Sequence, residues 1–267
     1  MKITAANIFK SVEDIRVKSP LIHNITNYVV MNNTANALLA IGASPVMIHA
    51  EEEVEDMAAI ASALVINIGT ISAPWVRGMF KAFAMAVSKG IPVVIDPVGA
   101  GATPYRTRTI RELISADQPT IIRGNASEIM ALTDDQLKTK GVDSTAASGD
   151  ALHAAQQISK ERQCAVCISG EVDYVVFENR MVKIANGNPM MTKVTGLGCT
   201  ASALCGAFAA VEKDPLAAAA KAMAVMGIAG EMAVEKSAGP GSLQMNFLDI
   251  LYNLSENDIS QHLKMEE

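Results

Sequence analysis

The residue types best suited to chemistry lie in the hexapeptide Thr-Gly-Leu-Gly-Cys-Thr at positions 195–200, between a strand-like stretch and a long stretch of small residues typical of a helix. Gly196 and Gly198 permit a tight turn, and the first turn of a helix has backbone N–H groups without intrahelical partners. Those amides and the positive end of the helix dipole point the same way, which predicts an anion site suited to a phosphate group. Cys199 stands in the first helical turn, where a phosphate-transferring enzyme of this design often carries an aspartate base.

Two carboxylates follow other strand-like runs. Asp96 ends an apolar run and Glu128 closes the motif Asn-Ala-Ser-Glu at 125–128. Asp96 is consistent with a simple turn, and Asn125 with Glu128 is consistent with a helix cap. The alternative is that both carboxylates order water around Mg²⁺, which prefers hard oxygen ligands and keeps several waters. Because positions 195–200 predict a phosphate site, we favour the magnesium interpretation.

Arg123 and Ser169 also stand at the ends of strand-like runs. Arg123 follows the apolar run 120–122 and is either a surface arginine or a phosphate clamp. Its place beside Asn125 favours the clamp. Ser169, followed by Gly170, is either part of a turn or a hydroxyl that contacts a nucleotide. The residues alone leave the role of Ser169 open.

The composition excludes several classes of protein. With 267 residues, half of them apolar, the chain predicts one globular domain over residues 1–267. A net charge of −6 without a basic stripe argues against nucleic acid as a partner. We expect no membrane partner and a cytoplasmic location, since the N-terminus lacks a signal-peptide core. Cys164 and Cys167 match a C-x-x-C pattern, but we expect both to be small buried residues rather than a redox pair.

Apolar runs alternate with helical patterns, which predicts βαβ units and a mainly parallel sheet. The predicted strands are 21–24, 45–49, 64–69, 91–97 and 120–123, and the predicted helices are 4–18, 28–41, 52–63, 75–89, 106–115 and 149–163. Three further runs, 165–169, 174–177 and 182–185, predict antiparallel strands. Helices at 197–211 and 215–234 predict a buried layer, and we expect neither to be long or apolar enough to span a membrane. Ligands bind at the carboxyl ends of parallel strands, so we expect the site there.

Five segments together resemble the hydroxyethylthiazole kinase family of the ribokinase-like superfamily. They are 20–30 with Asn32, 42–47, 96–101, 123–128 and 194–200, in an order that spans nearly the whole chain. The resemblance implies an α/β fold, a ribokinase-like three-layer α/β/α sandwich with a mostly parallel central sheet and no separate lid. It also implies ATP- and Mg²⁺-dependent phosphorylation of the primary hydroxyl of 4-methyl-5-(2-hydroxyethyl)thiazole, in thiamine salvage, by a homotrimer with sites between subunits.

The resemblance also assigns the thiazole alcohol its contacts. Asn27, Val29 and Met47 would surround the thiazole, and Gly196 would lie near its hydroxyl. Methionine is a soft, adaptable wall for a sulfur heterocycle, although a methionine on a strand is more often a core residue.

The same resemblance assigns the nucleotide and the reacting groups. Arg123 and Ser169 would contact ATP, and Asp96 with Glu128 would serve the magnesium and ATP phosphates. The catalytic group would consist of Gly196, Gly198 and Cys199, with Cys199 either a weak base or a group that positions the hydroxyl. The alternatives are a kinase for the pyrimidine alcohol of thiamine synthesis, a lyase for hydrated nicotinamide nucleotides on this fold, and a regulatory pseudokinase. The presence of Arg123 and both carboxylates argues against the pseudokinase.

Overall fold

The computed structural model describes residues 2–133 and 148–267. The helices in chain order, α1 to α11, are Ala5–Lys18, Met31–Ile41, Val54–Ile60, Ala73–Ser88, Pro104–Ala116, Ala126–Thr133, Ser148–Arg162, Leu197–Ala209, Pro215–Glu235, Pro240–Asn253 and Glu256–His262. The strands, β1 to β9, are Leu21–Ile25, Ser44–Val46, Ala63–Asn67, Val93–Asp96, Ile121–Asn125, Ala165–Ser169, Asp173–Phe177, Arg180–Ile184 and Met265–Glu266. A short 3₁₀ helix covers Pro189–Lys193.

All strands of the described residues form one sheet in the order β2-β1-β3-β4-β5-β6-β7-β8-β9. The first six are parallel, and β7, β8 and β9 continue the sheet in antiparallel fashion. The central strands β3 and β4 are buried along their whole length. Their unbroken apolar runs suit strands that are covered by helices on both faces. The prediction of a mainly parallel sheet with an antiparallel extension is confirmed.

Helices cover both faces and give the chain three layers. One core joins the sheet to α1, α2, α8, α9, α10 and α11, and a second core joins the other face to α3, α4, α5, α6 and α7. Cys164 and Cys167 lie in different cores and both are free thiols, as expected for buried small residues. The organisation of residues 1–267 as one domain stays a prediction.

Helix α8 lies unusually close to the sheet because Gly206 has no side chain. A Cβ atom at this position would meet Cγ2 of Val65 at 2.6 Å and Cγ2 of Ile22 at 3.4 Å. Such close approach of a helix backbone to a strand requires glycine. The packing brings the N-terminus of α8 over the carboxyl ends of the strands, where ligands bind in open α/β sheets.

Several element boundaries differ from the predictions. The predicted strand 45–49 is the shorter β2, and the predicted helix 28–41 begins at Met31, because Val30 N–H closes a turn onto Asn27 C=O at 3.2 Å. The predicted helix 52–63 ends at Ile60, since Ala63 already pairs with β1 as the first residue of β3. The short strand β9 was not predicted.

The expectation about membrane spans was wrong for α9. The helix has 21 residues, and an 18-residue window within it has a mean hydropathy of 1.4, which is enough by length and composition to cross a membrane. However, 83 % of the relevant window is buried inside the protein. Helix α9 packs against β6, β7 and β8 as part of the core, and its alanines allow this close contact.

Candidate active site

A chain of buried amide and carboxyl groups crosses the carboxyl ends of β1, β3 and β4. Asn27 Nδ2 donates to Asn67 Oδ1 at 2.9 Å, and Asn67 Nδ2 donates to Asp96 Oδ2 at 2.8 Å. Ser202 Oγ, from the second turn of α8, donates to the same Asp96 oxygen at 2.8 Å. Asp96 is only 1 % exposed. Two donors on Oδ2 fix the orientation of the carboxyl group and leave Oδ1 as its second acceptor.

Cys199, in the first turn of α8, adds a thiol to this series of hydrogen-bonded side chains. Asn27 Nδ2 lies 3.5 Å from Cys199 Sγ and donates to it. Burial and the charge of Asp96 raise the pKa of the thiol to about 12, against the opposing hydrogen bonds of Asn67 and Asn27. The lowering of the pKa that a helix N-terminus favours is therefore outweighed, and the thiol is neutral at physiological pH.

The neutral thiol has a consequence for alkylation. We expect the rate of iodoacetamide modification of Cys199 to rise about tenfold per pH unit from pH 7 to pH 10, because the thiolate fraction keeps rising until the pH reaches the pKa. Peptide mass spectrometry after timed quenching measures this rate. A cysteine in an unstructured peptide with blocked termini is the control, and its rate levels off above its ordinary pKa of about 8.5. A plateau for Cys199 near pH 8.5 would contradict the raised pKa.

The N-terminus of α8 has the geometry of an anion site. Gly196 precedes the helix with φ +88°, and the first intrahelical bond runs from Thr200 N–H to Gly196 C=O at 2.8 Å. The amides of residues 197–199 come before that bond and so have no intrahelical acceptor. Glycine at 196 offers no side chain to cap them. These amides and the helix dipole favour a phosphate oxygen at this point.

Arg123 reaches the same point from β5. Its side chain is 9 % exposed, and a Cβ atom on Gly198 would lie 3.2 Å from Nη1. Glycine at 198 therefore makes room for the guanidinium beside the helix N-terminus. Within residues 2–133 and 148–267, Nε of Arg123 has no hydrogen-bond partner. The burial excludes the interpretation of Arg123 as a surface arginine and leaves a buried cation beside free amides.

Three buried carboxyl groups surround this guanidinium: Asp96, Glu128 and Asp173. Burial raises the pKa of all three, the Asp173 pKa to about 6, and the charge of Arg123 opposes the shift in each. In the case of Glu128 the charge of Asp96 adds to the increase. Burial disfavours the charged form of Arg123 in turn, but the neighbouring carboxylates and Cys167 raise its pKa overall. A further cation near Asp96 and Glu128 would favour their ionised forms.

The helix-cap geometry that the sequence predicts for Asn125 and Glu128 is present. Glu128 N–H donates to Asn125 Oδ1 at 2.9 Å, and Asn125 N–H donates to Glu128 Oε2 at 2.9 Å. Oε1 of Glu128 accepts the N–H of Gly99 at 2.8 Å, which ties α6 to the turn after β4. Each carboxylate oxygen keeps a lone pair, so the cap leaves Glu128 able to bind water around a metal ion.

The donor set fits Mg²⁺ in its usual hydrated form. In the part of the chain that the structure describes, no group of three or more His, Cys, Asp and Glu side chains is placed to hold a metal ion. Mg²⁺ typically uses one or two carboxylates, several waters and the substrate phosphates. Asp96 and Glu128 supply two such carboxyl groups beside the anion site.

The other predicted site residues lie at the same edge of the sheet. Ser169 ends β6 opposite Asn125, and its hydroxyl donates to Gly124 C=O at 3.3 Å. Met47 directly follows β2 and is half-buried, and Val29 is 62 % exposed in the turn before α2. Asn27 connects the turn that carries Val29 to Cys199. The residues predicted to contact the thiazole thus follow β1 and β2, whereas Arg123 and Ser169 lie in β5 and β6.

Three residues of this cluster have no role predicted from the sequence: Asn67, Asp173 and Ser202. Ser202 had a usable signal, because it stands three positions after Cys199 and so shares one face of α8 with it. Asn67 ends β3 and has the polar strand-end signal of its neighbours. No local signal places Asp173 beside Arg123, because β7 joins the sheet through tertiary pairing with β6.

The chain is similar to known proteins over nearly its whole length. Residues 12–257 match the hydroxyethylthiazole kinase family. The chain is 60 % identical over 266 residues to a hydroxyethylthiazole kinase of Syntrophus aciditrophicus (99 % of this chain, 98 % of the relative), and 52 % identical to one of Vibrio campbellii (97 % of each). It is similar to the solved structure of a hydroxyethylthiazole kinase protein from Pyrococcus horikoshii, with a TM-score of 0.91, 43 % identity and 98 % coverage of both chains.

A more distant likeness concerns the fold. A pyridoxal kinase from Staphylococcus aureus superposes with a TM-score of 0.67 at 17 % identity, covering 92 % of this chain and 97 % of that one. A ribokinase-like protein from Enterococcus faecalis gives 0.64 at 12 % identity, with 90 % and 87 % coverage. The predicted ribokinase-like α/β/α sandwich is confirmed. The chain belongs to the hydroxyethylthiazole kinase family.

Proposed function

We propose that this protein is a hydroxyethylthiazole kinase: it transfers the γ-phosphoryl group of ATP to the primary hydroxyl of 4-methyl-5-(2-hydroxyethyl)thiazole in thiamine salvage. The observation that carries the proposal is the buried guanidinium of Arg123 beside the amides of residues 197–199, which have no intrahelical acceptor. Asn27 is hydrogen-bonded to Cys199 in the same helix turn, and these two side chains offer polar contacts to an alcohol. A phosphate donor and an alcohol acceptor thus have adjoining places.

The nucleotide side of the site holds the phosphates. Arg123 binds the transferred phosphoryl group, and Ser169 at the neighbouring strand end contacts ATP. Asp96 and Glu128 would hold Mg²⁺, which would supply charge neutralisation to the phosphate oxygens. Phosphoryl transfer through a loose transition state asks mainly for positioning and charge stabilisation, which these buried groups provide.

The alcohol side of the site orients the acceptor. Asn27, Val29 and Met47 surround the thiazole, and Gly196 lies near its hydroxyl. Cys199 is a hydrogen-bonding group that positions the hydroxyl, because its neutral thiol is a poor proton acceptor. A loose transition state places little demand on a base. The alcohol proton passes late to an oxygen of the transferred phosphoryl group, as the bond from the alcohol oxygen to phosphorus forms and the bond from phosphorus to the ADP oxygen breaks.

This role of Cys199 predicts how its variants behave. We expect Cys199→Ala to lower kcat only modestly, by about tenfold or less. General-base assistance is worth roughly 10²–10⁴-fold, and a thiol that does not act as the base does not contribute it. Cys199→Asp is expected to retain or raise kcat, since a carboxylate accepts the proton better than a neutral thiol. Steady-state kinetics measures both, with Cys205→Ala, buried six positions further on in α8, as the control. Complete loss of activity in Cys199→Ala would instead identify an essential thiol.

The proposed reaction is tested by mixing the purified protein with ATP, Mg²⁺ and the thiazole alcohol, and by following ADP release and the phosphorylated product. Parallel samples contain the pyrimidine alcohol of thiamine synthesis or no alcohol. Product from the thiazole alone supports the proposal. Product from the pyrimidine alone refutes the assignment of the substrate, and ATP binding without any product refutes the kinase.

We also propose that the protein is a homotrimer with its sites between subunits, and that it works in the cytoplasm. Tyr28 and Val29 support the trimer, because these apolar residues are 66 % and 62 % exposed directly after the buried Asn27. A neighbouring copy that covers Val29 would enclose the thiazole on this side of the site. Light scattering after size-exclusion chromatography should give three times the 28.2 kDa of one chain.

A further inference from the structure

Arg106, in the first turn of α5, joins two loops at the edge of the sheet that carries the site. Its Nη1 donates to Ile68 C=O at 2.7 Å and to Val98 C=O at 2.9 Å, and its Nη2 donates to Gly69 C=O at 2.5 Å. Ile68 and Gly69 follow β3, and Val98 follows β4. One guanidinium, with its planar set of donors, therefore holds three carbonyl groups of two loops.

The loop after β3 supports the alcohol side of the site. Gly69 N–H donates to Asn67 Oδ1 at 2.9 Å, the oxygen that also accepts from Asn27. A Cβ atom on Gly69 would lie 2.5 Å from Asn27 Nδ2, so this loop is in direct contact with Asn27. Movement of residues 68 and 69 would therefore move the side chain that contacts Cys199.

The loop after β4 supports the phosphate side. Val98 precedes Gly99, whose N–H donates to Glu128 Oε1. Gly99 has φ +72°, and a Cβ atom there would lie 3.3 Å from Arg106 Cδ. The left-handed backbone and the absent side chain let Arg106 lie across this loop and reach the loop after β3.

We propose that Arg106 is a positioning residue for phosphoryl transfer: it fixes the spacing between loop 68–69 and loop 97–101, and through them between Asn27 on the alcohol side and Glu128 on the phosphate side. The inference rests on the proposed function, since it requires an acceptor on one side and a nucleotide on the other. A displacement of about 1 Å between reacting groups costs on the order of 100-fold in rate.

The test compares Arg106→Gln and Arg106→Lys with Arg108→Gln, a matched control on the same helix whose side chain is 68 % exposed. We expect Arg106→Gln to lower kcat about 100-fold while the KM values for ATP and the alcohol change less than about threefold. Arg106→Lys, which keeps the charge but loses the planar donors, should lose about tenfold. Low millimolar guanidinium should restore part of the kcat of Arg106→Gln, and Arg108→Gln should match the parent protein.

Hydrogen exchange gives a readout that needs no thiazole alcohol. The amides of residues 68–70 and 97–101 should exchange faster in Arg106→Gln than in the parent or in Arg108→Gln. Unchanged exchange in both loops, or an unchanged kcat in the folded variant, overturns the inference. If Arg106→Gln fails to fold, the kcat of Arg106→Lys and the hydrogen exchange of its two loops test the inference instead. An inactive parent protein refutes the proposed function, and the exchange of the loops then decides whether Arg106 couples them.

Discussion

Replacement of Arg123 by alanine is expected to lower kcat/KM for ATP about 1,000-fold, which is the lower end of what a charge-stabilising arginine contributes to phosphoryl transfer. The guanidinium is buried at the N-terminus of α8, where it adds a full positive charge to the free amides. In a buried site such a charge is screened much less than in water. Initial rates at varied ATP concentration, with the alcohol saturating, measure the effect.

Lower activity of Arg123→Ala could come from the lost charge, from the lost planar donors or from unfolding, and the controls distinguish these causes. Arg123→Lys keeps the charge without the planar fork and should recover only part of the activity. Removal of Arg123 also takes away the cation that favours ionisation of Asp96, Asp173 and Glu128. We therefore expect lower thermal stability in Arg123→Ala, and circular dichroism establishes that the assayed protein is folded. A folded Arg123→Ala that keeps activity within tenfold of the parent would refute the clamp.

The second large effect is expected for Gly196→Ala, with kcat falling about 100-fold, because loss of an oxyanion-hole donor costs roughly 10²–10³-fold. Gly196 has φ +88°, and a Cβ atom would lie 2.7 Å from Cγ1 of Val30. The left-handed backbone alone costs roughly 1–2 kcal/mol for an L-residue. Relief of the overlap would turn the amides of 197–199 away from the phosphate. Steady-state kinetics and thermal unfolding measure the two effects.

A matched substitution separates the backbone cost from the contact. Gly90 has φ +69°, and nothing lies within 4 Å of the position of its Cβ. Gly90→Ala should therefore lose stability through the backbone alone and keep its activity. Val30→Ala in combination with Gly196→Ala removes the overlap and should recover stability but only part of kcat. Equal activity of Gly196→Ala and the parent would show that the turn does not position the reacting groups.

The main features of the fold follow from local pattern. Apolar runs such as β3 and β4, separated by amphipathic helices, predict a parallel sheet between two layers, because a strand without a polar face must be covered on both sides. The hexapeptide 195–200 and the polar strand ends predict where the site lies, since the carboxyl ends of parallel strands share one edge. Boundaries such as the end of α3 depend on which strand a residue pairs with, and pairing is not a local property.

The chemistry of individual residues depends on neighbours that are distant in the sequence. Arg123 fits against α8 because Gly198, 75 positions later, has no side chain, and Asp96 is oriented by Ser202 across 106 positions. The sequence left Cys199 either a weak base or a group that positions the hydroxyl. Burial and the nearby carboxylate raise the pKa of its thiol to about 12. Residue type and spacing thus determined the sheet, the edge that carries the polar strand ends, and the glycine turn before α8. The protonation of Cys199 and the orientation of Asp96 were decided by the tertiary structure, because they depend on burial and on charges that come together when the chain folds.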